Sequence, residues 1–340
     1  MRVIVSRTDR IGDVVLTLPL CAMLRERGAH VIFLGRRYTR PVLEASPFVD
    51  ELLEWDEVEH AAPERQAAWL RAARADAIVH AFPRPTIARA AKRAGVALRI
   101  GTSHRLYHWW TCNALEHFSR KRSPLHEAQL DLRLARRLLA GTEPWNAPVE
   151  SLAVFTALTP RVDVPHDVAA LLARDRLVVT LHPGSRGSAR EWPLDRWGAL
   201  ARSLVADGAQ VVISGSAEEG TVLAPWLATL PPSVVNLGGR LALPELIALL
   251  RAVDGLVAAS TGPLHLAAGV GAHALGLFAP TPPIHPGRWA PLGRRAEVVV
   301  APAACSACGG GAKGVCTCMA AISVDAVRER IMRWDRVGVR

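Results

Sequence analysis

Lysine is nearly missing from this chain: only Lys92, Lys121 and Lys313 stand among 41 basic residues, and arginine supplies the rest. Genomic base composition can produce such a bias, but its chemical consequence holds either way. Guanidinium groups grip phosphate through two parallel hydrogen bonds, which ammonium groups cannot do. Long apolar runs are missing too. Asp9 and Arg10 break the apolar start before a signal-peptide core could form, and no uninterrupted apolar stretch reaches the length of a bilayer span. These absences imply a soluble, unexported, cytoplasmic protein. Two phosphate-handling signatures are also absent: the GxxxxGK[ST] of a P-loop and any Asp-x-Asp pair that would hold a divalent cation on a diphosphate.

What is present is an α/β chain. At 340 residues it exceeds one ordinary hydrophobic core, so two domains are expected. Half of the residues are apolar and only 5% aromatic, as in an Ala/Leu/Val-rich α/β protein. Val3 to Val5 reads as a buried strand, followed by a polar loop to Arg10. Val14, Leu18, Cys21 and Leu24 then recur at helical spacing up to Gly28, with a kink expected at Pro19. Val31 to Leu34 is the next strand, which makes a βαβ opening of the kind that builds parallel sheets. Ala77 to His80 reads as a strand and Leu125 to Leu139 as a helix. The proline-bearing stretch 141–165 reads as a linker. The α/β rhythm then restarts with strands at Leu177 to Leu181, Gln210 to Ser214, Leu256 to Ala259 and Leu275 to Phe278. Helices fall at Leu194 to Ala206 and Leu243 to Val253. The expectation is two Rossmann-like domains with parallel sheets facing a central cleft, residues 1–150 and 151–322. A last helix within 323–340 is expected to pack back on the N-terminal domain.

Three loops stand where a strand gives way to a helix. In Arg7-Thr8-Asp9-Arg10-Ile11-Gly12-Asp13, Gly12 permits close backbone approach and Asp13 lies at the helix start. Alone, Asp13 is better explained by helix capping than by chemistry. His182 to Pro193 carries glycines, hydroxyls and two arginines, so backbone N–H groups and guanidinium can close around an anion; a plain polar surface loop is the alternative. Ser260-Thr261-Gly262-Pro263-Leu264-His265 opens a helix whose free N–H groups make a ready phosphate site. If a diphosphate leaves such a site, its charge must be met by Arg190, Arg7 and the two helix N-termini, a chemically sufficient set without a metal.

The ordered motifs are specific. Ile11-Gly12-Asp13-Val14-Val15-Leu16-Thr17-Leu18-Pro19 opens the chain. His182-Pro183-Gly184 and Arg190-Glu191-Trp192-Pro193-Leu194-Asp195-Arg196-Trp197 follow. Val235-Asn236-Leu237-Gly238-Gly239-Arg240, Leu243-Pro244-Glu245-Leu246, Thr261-Gly262-Pro263-Leu264-His265-Leu266-Ala267-Ala268 and Phe278-Ala279-Pro280-Thr281 complete the set. Over nearly its whole length the chain resembles glycosyltransferase family 9, the ADP-heptose:lipopolysaccharide heptosyltransferases. The resemblance implies a GT-B fold and metal-independent inverting transfer without a cofactor, unlike the Asp-x-Asp enzymes of the GT-A class. It implies that Asp13 is the general base on the acceptor hydroxyl. Ser185 and Arg190 match positions holding the donor phosphates; Arg190 and Arg7 stand where lysine is common in the family. Glu218 matches a ribose-binding acid, Leu241 the adenine-pocket segment, and Thr261, Gly262 and His265 the donor loop. One departure is visible: the family usually has Asp before Thr-Gly, and this chain has Ser260. A serine binds sugar hydroxyls more weakly, which leaves open another donor sugar, or a catalytically weak or silent relative that binds nucleotide sugar or lipid. A nucleotide-sugar epimerase is a rival within the fold.

The implied partners are ADP-heptose and a phosphorylated glycolipid acceptor of the lipopolysaccharide core at the inner membrane. The formal charge of +10 suits anionic partners, and Arg105-Leu106-Tyr107-His108-Trp109-Trp110 suits peripheral membrane contact; a partly buried helix face explains the same residues. No helix-turn-helix or basic-aromatic platform appears, so nucleic acid is not expected. Cys305, Cys308, Cys316 and Cys318 cluster as C-x2-C-x7-C-x-C. Four thiolates in so short a span can hold zinc, although structural thiols are the default and no catalytic metal is expected.

Overall fold

The computed structural model describes residues 1–120, 123–139, 141–305, 308 and 317–338. The chain forms two compact units, Met1–Ala157 and Leu158–Arg340. The division falls within the proline-bearing stretch read as a linker, a few residues beyond the expected boundary.

The first unit contains β1 (Arg2–Ser6), β2 (His30–Gly35), β3 (Glu51–Glu54), β4 (Ala77–Val79), β5 (Leu98–Thr102) and β6 (Ala114–Glu116). They form one parallel sheet in the order β3-β2-β1-β4-β5-β6. The second unit contains β7 (Val178–His182), β8 (Gln210–Ile213), β9 (Val235–Asn236), β10 (Gly255–Ala259), β11 (His273–Phe278) and β12 (Ala296–Val300). Its sheet, also parallel, runs β12-β11-β10-β7-β8-β9. Both units therefore repeat one doubly wound topology, in which the strand order reverses beside the first strand: between β1 and β4, and between β7 and β10.

Strands buried on both faces read as continuous apolar runs rather than alternating ones. Accordingly β7, β10 and β11 are buried at every position. The helix Ile11–Glu26 is likewise buried nearly all round, with Val14, Leu16, Leu18, Cys21 and Leu24 among its buried residues. A helix that is apolar on all sides belongs in a core. It runs through Pro19 and closes at Gly28, whose φ of +74° is the left-handed value that glycine adopts freely.

The helix Val324–Ile331 corrects the expectation of a C-terminal element on the N-terminal domain. Val327 and Ile331, with Trp334 just beyond, belong to the core of the second unit beside Trp197, Leu200 and Val211. Arg328 adds a forked ion pair to Asp207, with both N–H···O distances at 2.5 Å. The helix presents a single apolar stripe, and the core of its own unit covers that stripe.

Candidate active site

In the first unit the point where strand order reverses is occupied by charge. Arg7 follows β1 and is almost completely buried. Its Nε donates to Asp9 Oδ1 at 2.8 Å and its Nη1 to Glu127 Oε1 at 3.0 Å. Asp131 Oδ1 lies 3.3 Å from the same Nη1, and Nη2 donates to Asp13 Oδ1. Glu127 and Asp131, four residues apart on the helix Glu127–Leu134, share one face. A second arginine, Arg120, reaches the same pair: it donates to Glu127 Oε1, and to Asp131 Oδ1 at 2.7 Å. Its Nη2 also lies 3.2 Å from the carbonyl of Ala81, beyond β4, so the cluster ties together both sides of the reversal point. The Thr17 hydroxyl donates to Asp131 Oδ2 at 2.7 Å.

Asp13 is the third residue of the helix Ile11–Glu26, with Gly12 buried before it. It keeps 17% of its side chain exposed, whereas Glu127 and Asp131 are sealed at 1% and 0%. Asp9, at 16%, is exposed to the same degree as Asp13, so these two carboxylates remain within reach of a small molecule while Glu127 and Asp131 are structural. Burial opposes the charge on Arg7, but Asp9, Asp131 and Asp13 more than offset this and raise its pKa. Burial pushes Asp9 the other way, up to about 7, against the lowering influence of Arg7 and with further raising by Asp13. His80, beyond β4, is held down at about 3 by burial and by the neighbouring His108, too weak a base to rival a carboxylate near neutral pH.

In the second unit the loops after β7 and β10 flank the corresponding point. Arg186 (φ +48°) and Gly187 (φ +72°) form a tight turn closed by Ser188 N–H donating to Ser185 C=O at 2.9 Å. The turn presents Ser185, whose N–H (2.9 Å) and hydroxyl (2.6 Å) both donate to Glu191 Oε1. Two donors converging on one anionic oxygen are what a phosphate oxygen also requires. Arg190 lies half-buried on this loop. Glu218 sits at the start of the helix Ala217–Leu227 and pairs with Arg186 at 3.3 Å, which brings it beside the loop. That helix is capped reciprocally: Ser216 N–H donates to Glu219 Oε2 at 2.8 Å and Glu219 N–H to Ser216 Oγ at 3.2 Å. A Cβ added at Gly184 would fall 2.3 Å from Glu219 Oε1, so a larger residue there would push on the capping side chain.

Thr261 precedes the helix Gly262–Gly269, with Pro263 in its first turn. The Thr261 hydroxyl is buried and has no hydrogen-bond partner among the described residues, an unfavourable state that a bound polar group would relieve. Ser260 and Gly262 are half-buried and His265 is buried one turn into the helix. Leu241, partly buried, packs against an apolar cluster that contains Leu237 and Leu249.

Two doubly wound units, one with a buried Arg–carboxylate cluster and one with two small-residue turns at helix starts, define the GT-B class of glycosyltransferase. The profile described as "Glycosyltransferase family 9 (heptosyltransferase)" matches residues 114–313, and the chain belongs to that family. A putative glycosyltransferase of Haemophilus influenzae is 24% identical over 305 residues, 86% of each chain. Lipopolysaccharide heptosyltransferase 2 of Salmonella typhimurium is 29% identical over 133 residues, 38% of this chain and 37% of that one. Among solved structures, E. coli ADP-heptose LPS heptosyltransferase II superposes with a TM-score of 0.75 at 21% identity, covering 98% of both chains, and so shares the fold.

The sequence-predicted residues separate into two groups. Ser185, Arg190 and Glu218 gather on or beside the β7 loop, and Ser260, Thr261, Gly262 and His265 on the β10 loop. Arg7, expected to meet donor phosphate, is held in the first unit by carboxylates that offset the cost of burying its charge. Glu127, Asp131 and Arg120 escaped the sequence reading because a hundred residues separate them from Arg7; Glu219 was readable as the fourth position of Ser216-x-x-Glu219. One consequence is measurable through pH. The raised pKa of Asp9 means that its contribution to stability is full below the unfolded value near 4 and is lost as pH rises through about 7. Asp9→Asn is therefore expected to raise the melting temperature relative to the parent more at pH 8 than at pH 5; an equal difference at both would contradict the burial of a strained charge.

Proposed function

We propose that the chain is an inverting, metal-independent heptosyltransferase that moves heptose from ADP-heptose onto a hydroxyl of a phosphorylated lipopolysaccharide-core glycolipid. The observation that carries this reading is Asp13: a partly exposed carboxylate at a helix start, gripped by buried Arg7. Asp13 takes the proton of the acceptor hydroxyl as its oxygen attacks the anomeric carbon on the face opposite the diphosphate. The C–O bond to the diphosphate breaks as the new one forms, and the configuration inverts. The acceptor proton becomes acidic only as that bond develops, so a carboxylate suffices.

On the second unit, the Ser185 N–H and hydroxyl, Arg190 and the Thr261–Gly262 helix start are assigned to the departing diphosphate. Fixed dipoles and a guanidinium stabilise such charge without a bound cation. Glu218 is assigned to the ribose and Leu241 to the adenine. Gly12 and His265 are assigned to the donor as well. The heptosyltransferase relatives support the choice of sugar, and the name of the E. coli protein supports ADP as its carrier. Ser260, standing where the family usually has Asp, favours a second reading in which the same chemistry acts on a different donor sugar.

The acceptor reading extends to the membrane. Leu106, Trp109 and Trp110 are 78%, 62% and 56% exposed, next to exposed Arg105, while His108 between them is buried. No helix among the described residues is long and apolar enough to cross a bilayer. An exposed aromatic and basic corner of this kind fits attachment to an anionic cytoplasmic leaflet.

Two experiments test these assignments. Asp13→Asn should lower transfer by about 10²- to 10⁴-fold and leave ADP-heptose affinity by calorimetry unchanged; full turnover would remove Asp13 from the chemistry. Replacing Leu106, Trp109 and Trp110 together by Ser should abolish sedimentation with anionic vesicles at unchanged activity on delipidated acceptor. Unchanged sedimentation would rule out this corner as the contact.

A further inference from the structure

The transfer chemistry leaves one constellation unused, the cysteines beyond β12. Cys305 Sγ lies 3.5 Å from Cys308 Sγ, and Cys308 Sγ 3.2 Å from Cys318 Sγ. All three sulfurs fall within 4.8 Å of one another. A disulfide would hold two of them about 2.05 Å apart, so neither pair stands at bonding distance. Thiolates bound at about 2.3 Å around one tetrahedral ion are separated by about 3.8 Å, close to the spacing seen here. Cys308 and Cys318 are 5% exposed and Cys305 is half-buried, so the sulfurs converge at the edge of the core and away from water.

Buried single cysteines behave as small apolar side chains, but packing alone does not bring three sulfurs onto one point from two different elements. Cys305 and Cys308 belong to the segment after β12, and Cys318 to the short helix Thr317–Ala320.

We propose that Cys305, Cys308 and Cys318 are ligands of a structural metal ion of thiophilic character, zinc or iron. The sequence supplies a fourth thiol, Cys316, which lies outside the described residues. Cys308, Cys318 and Met319 share a core with Trp192 and Trp197, and Trp192 Nε1–H donates to the carbonyl of Ile322 at 3.2 Å. Trp192 ends the β7 loop. The ion therefore clasps the segment that supports the floor of the donor loop, and its role is architectural rather than a part of the displacement.

Elemental analysis of the purified full-length chain tests this, with the parent and Asp13→Asn each expected to carry one equivalent of zinc or iron, the element found distinguishing the two. Cys308→Ser and Cys318→Ser should lose the ion and melt at lower temperature. Because either variant can fail to fold, the parent is also stripped with chelator and reloaded with Co²⁺ alone; intense visible bands of a tetrahedral thiolate site are expected. A chain isolated free of zinc and iron, an ion retained in Cys308→Ser, a Cys308–Cys318 disulfide found in peptides of the native chain, or Co²⁺ spectra without thiolate bands would each overturn the proposal.

Discussion

Arg7, buried among Asp9, Asp13, Glu127 and Asp131, is the interaction on which the rest of the first unit depends. An isolated charge in that position would cost several kcal/mol of lost hydration, and removing one partner of a buried pair typically costs about 3–5 kcal/mol. The cost is met by redundancy: Arg120 supplies a second cation to Glu127 and Asp131, and Thr17 a neutral donor. The arrangement draws residues from the β1 loop, the first helix and a helix more than a hundred residues later onto one guanidinium. It is also selective. The sealed carboxylates fix Arg7, and Arg7 in turn fixes the two that stay partly exposed, Asp9 and Asp13. Burial and the neighbouring Asp13 raise the pKa of Asp9 against the lowering influence of Arg7.

The second unit solves a different electrostatic problem by different means. Instead of a network of formal charges it offers short turns in which backbone and hydroxyl donors are held open at helix starts. The left-handed pair Arg186–Gly187 and the buried Thr261 hydroxyl are local departures from comfortable backbone or polar geometry. Such departures persist only where the surrounding core over-determines them. Here the fully buried Trp192 and Trp197, edge to face at 5.1 Å, provide that support directly beneath the loop.

Much of this was legible in the sequence, for reasons that differ by element. The buried strands β1, β2, β7, β8, β10 and β11 stand out as continuous apolar runs, and the helix Leu194–Ala206 shows its boundaries through Pro193 and Gly208. The edge strands β3, β6, β9 and β12 are short or half-buried and carry Glu or Asn, so their pairing is decided by neighbours rather than by pattern. Residues of the β7 and β10 loops were readable because they are contiguous. The partners of Arg7 were not, since Glu127 and Asp131 look like ordinary acidic positions on a helix until the fold brings them under β1. The C-terminal helix was legible as a helix, but its destination depended on which apolar stripe it would cover, and sequence periodicity does not carry that information.

Arg7→Lys separates the two roles that a cation at this position can have. Lysine keeps the charge but loses the fork that grips Asp9, Asp13 and Glu127 at once. If Arg7 acts by orienting Asp13, single-turnover kinetics should show a fall in the transfer rate of about tenfold or more, the loss of one charge-assisted hydrogen bond, with unchanged affinity for ADP-heptose. A variant that binds the donor more weakly but transfers at the parental rate once saturated would make Arg7 a donor ligand and contradict the account.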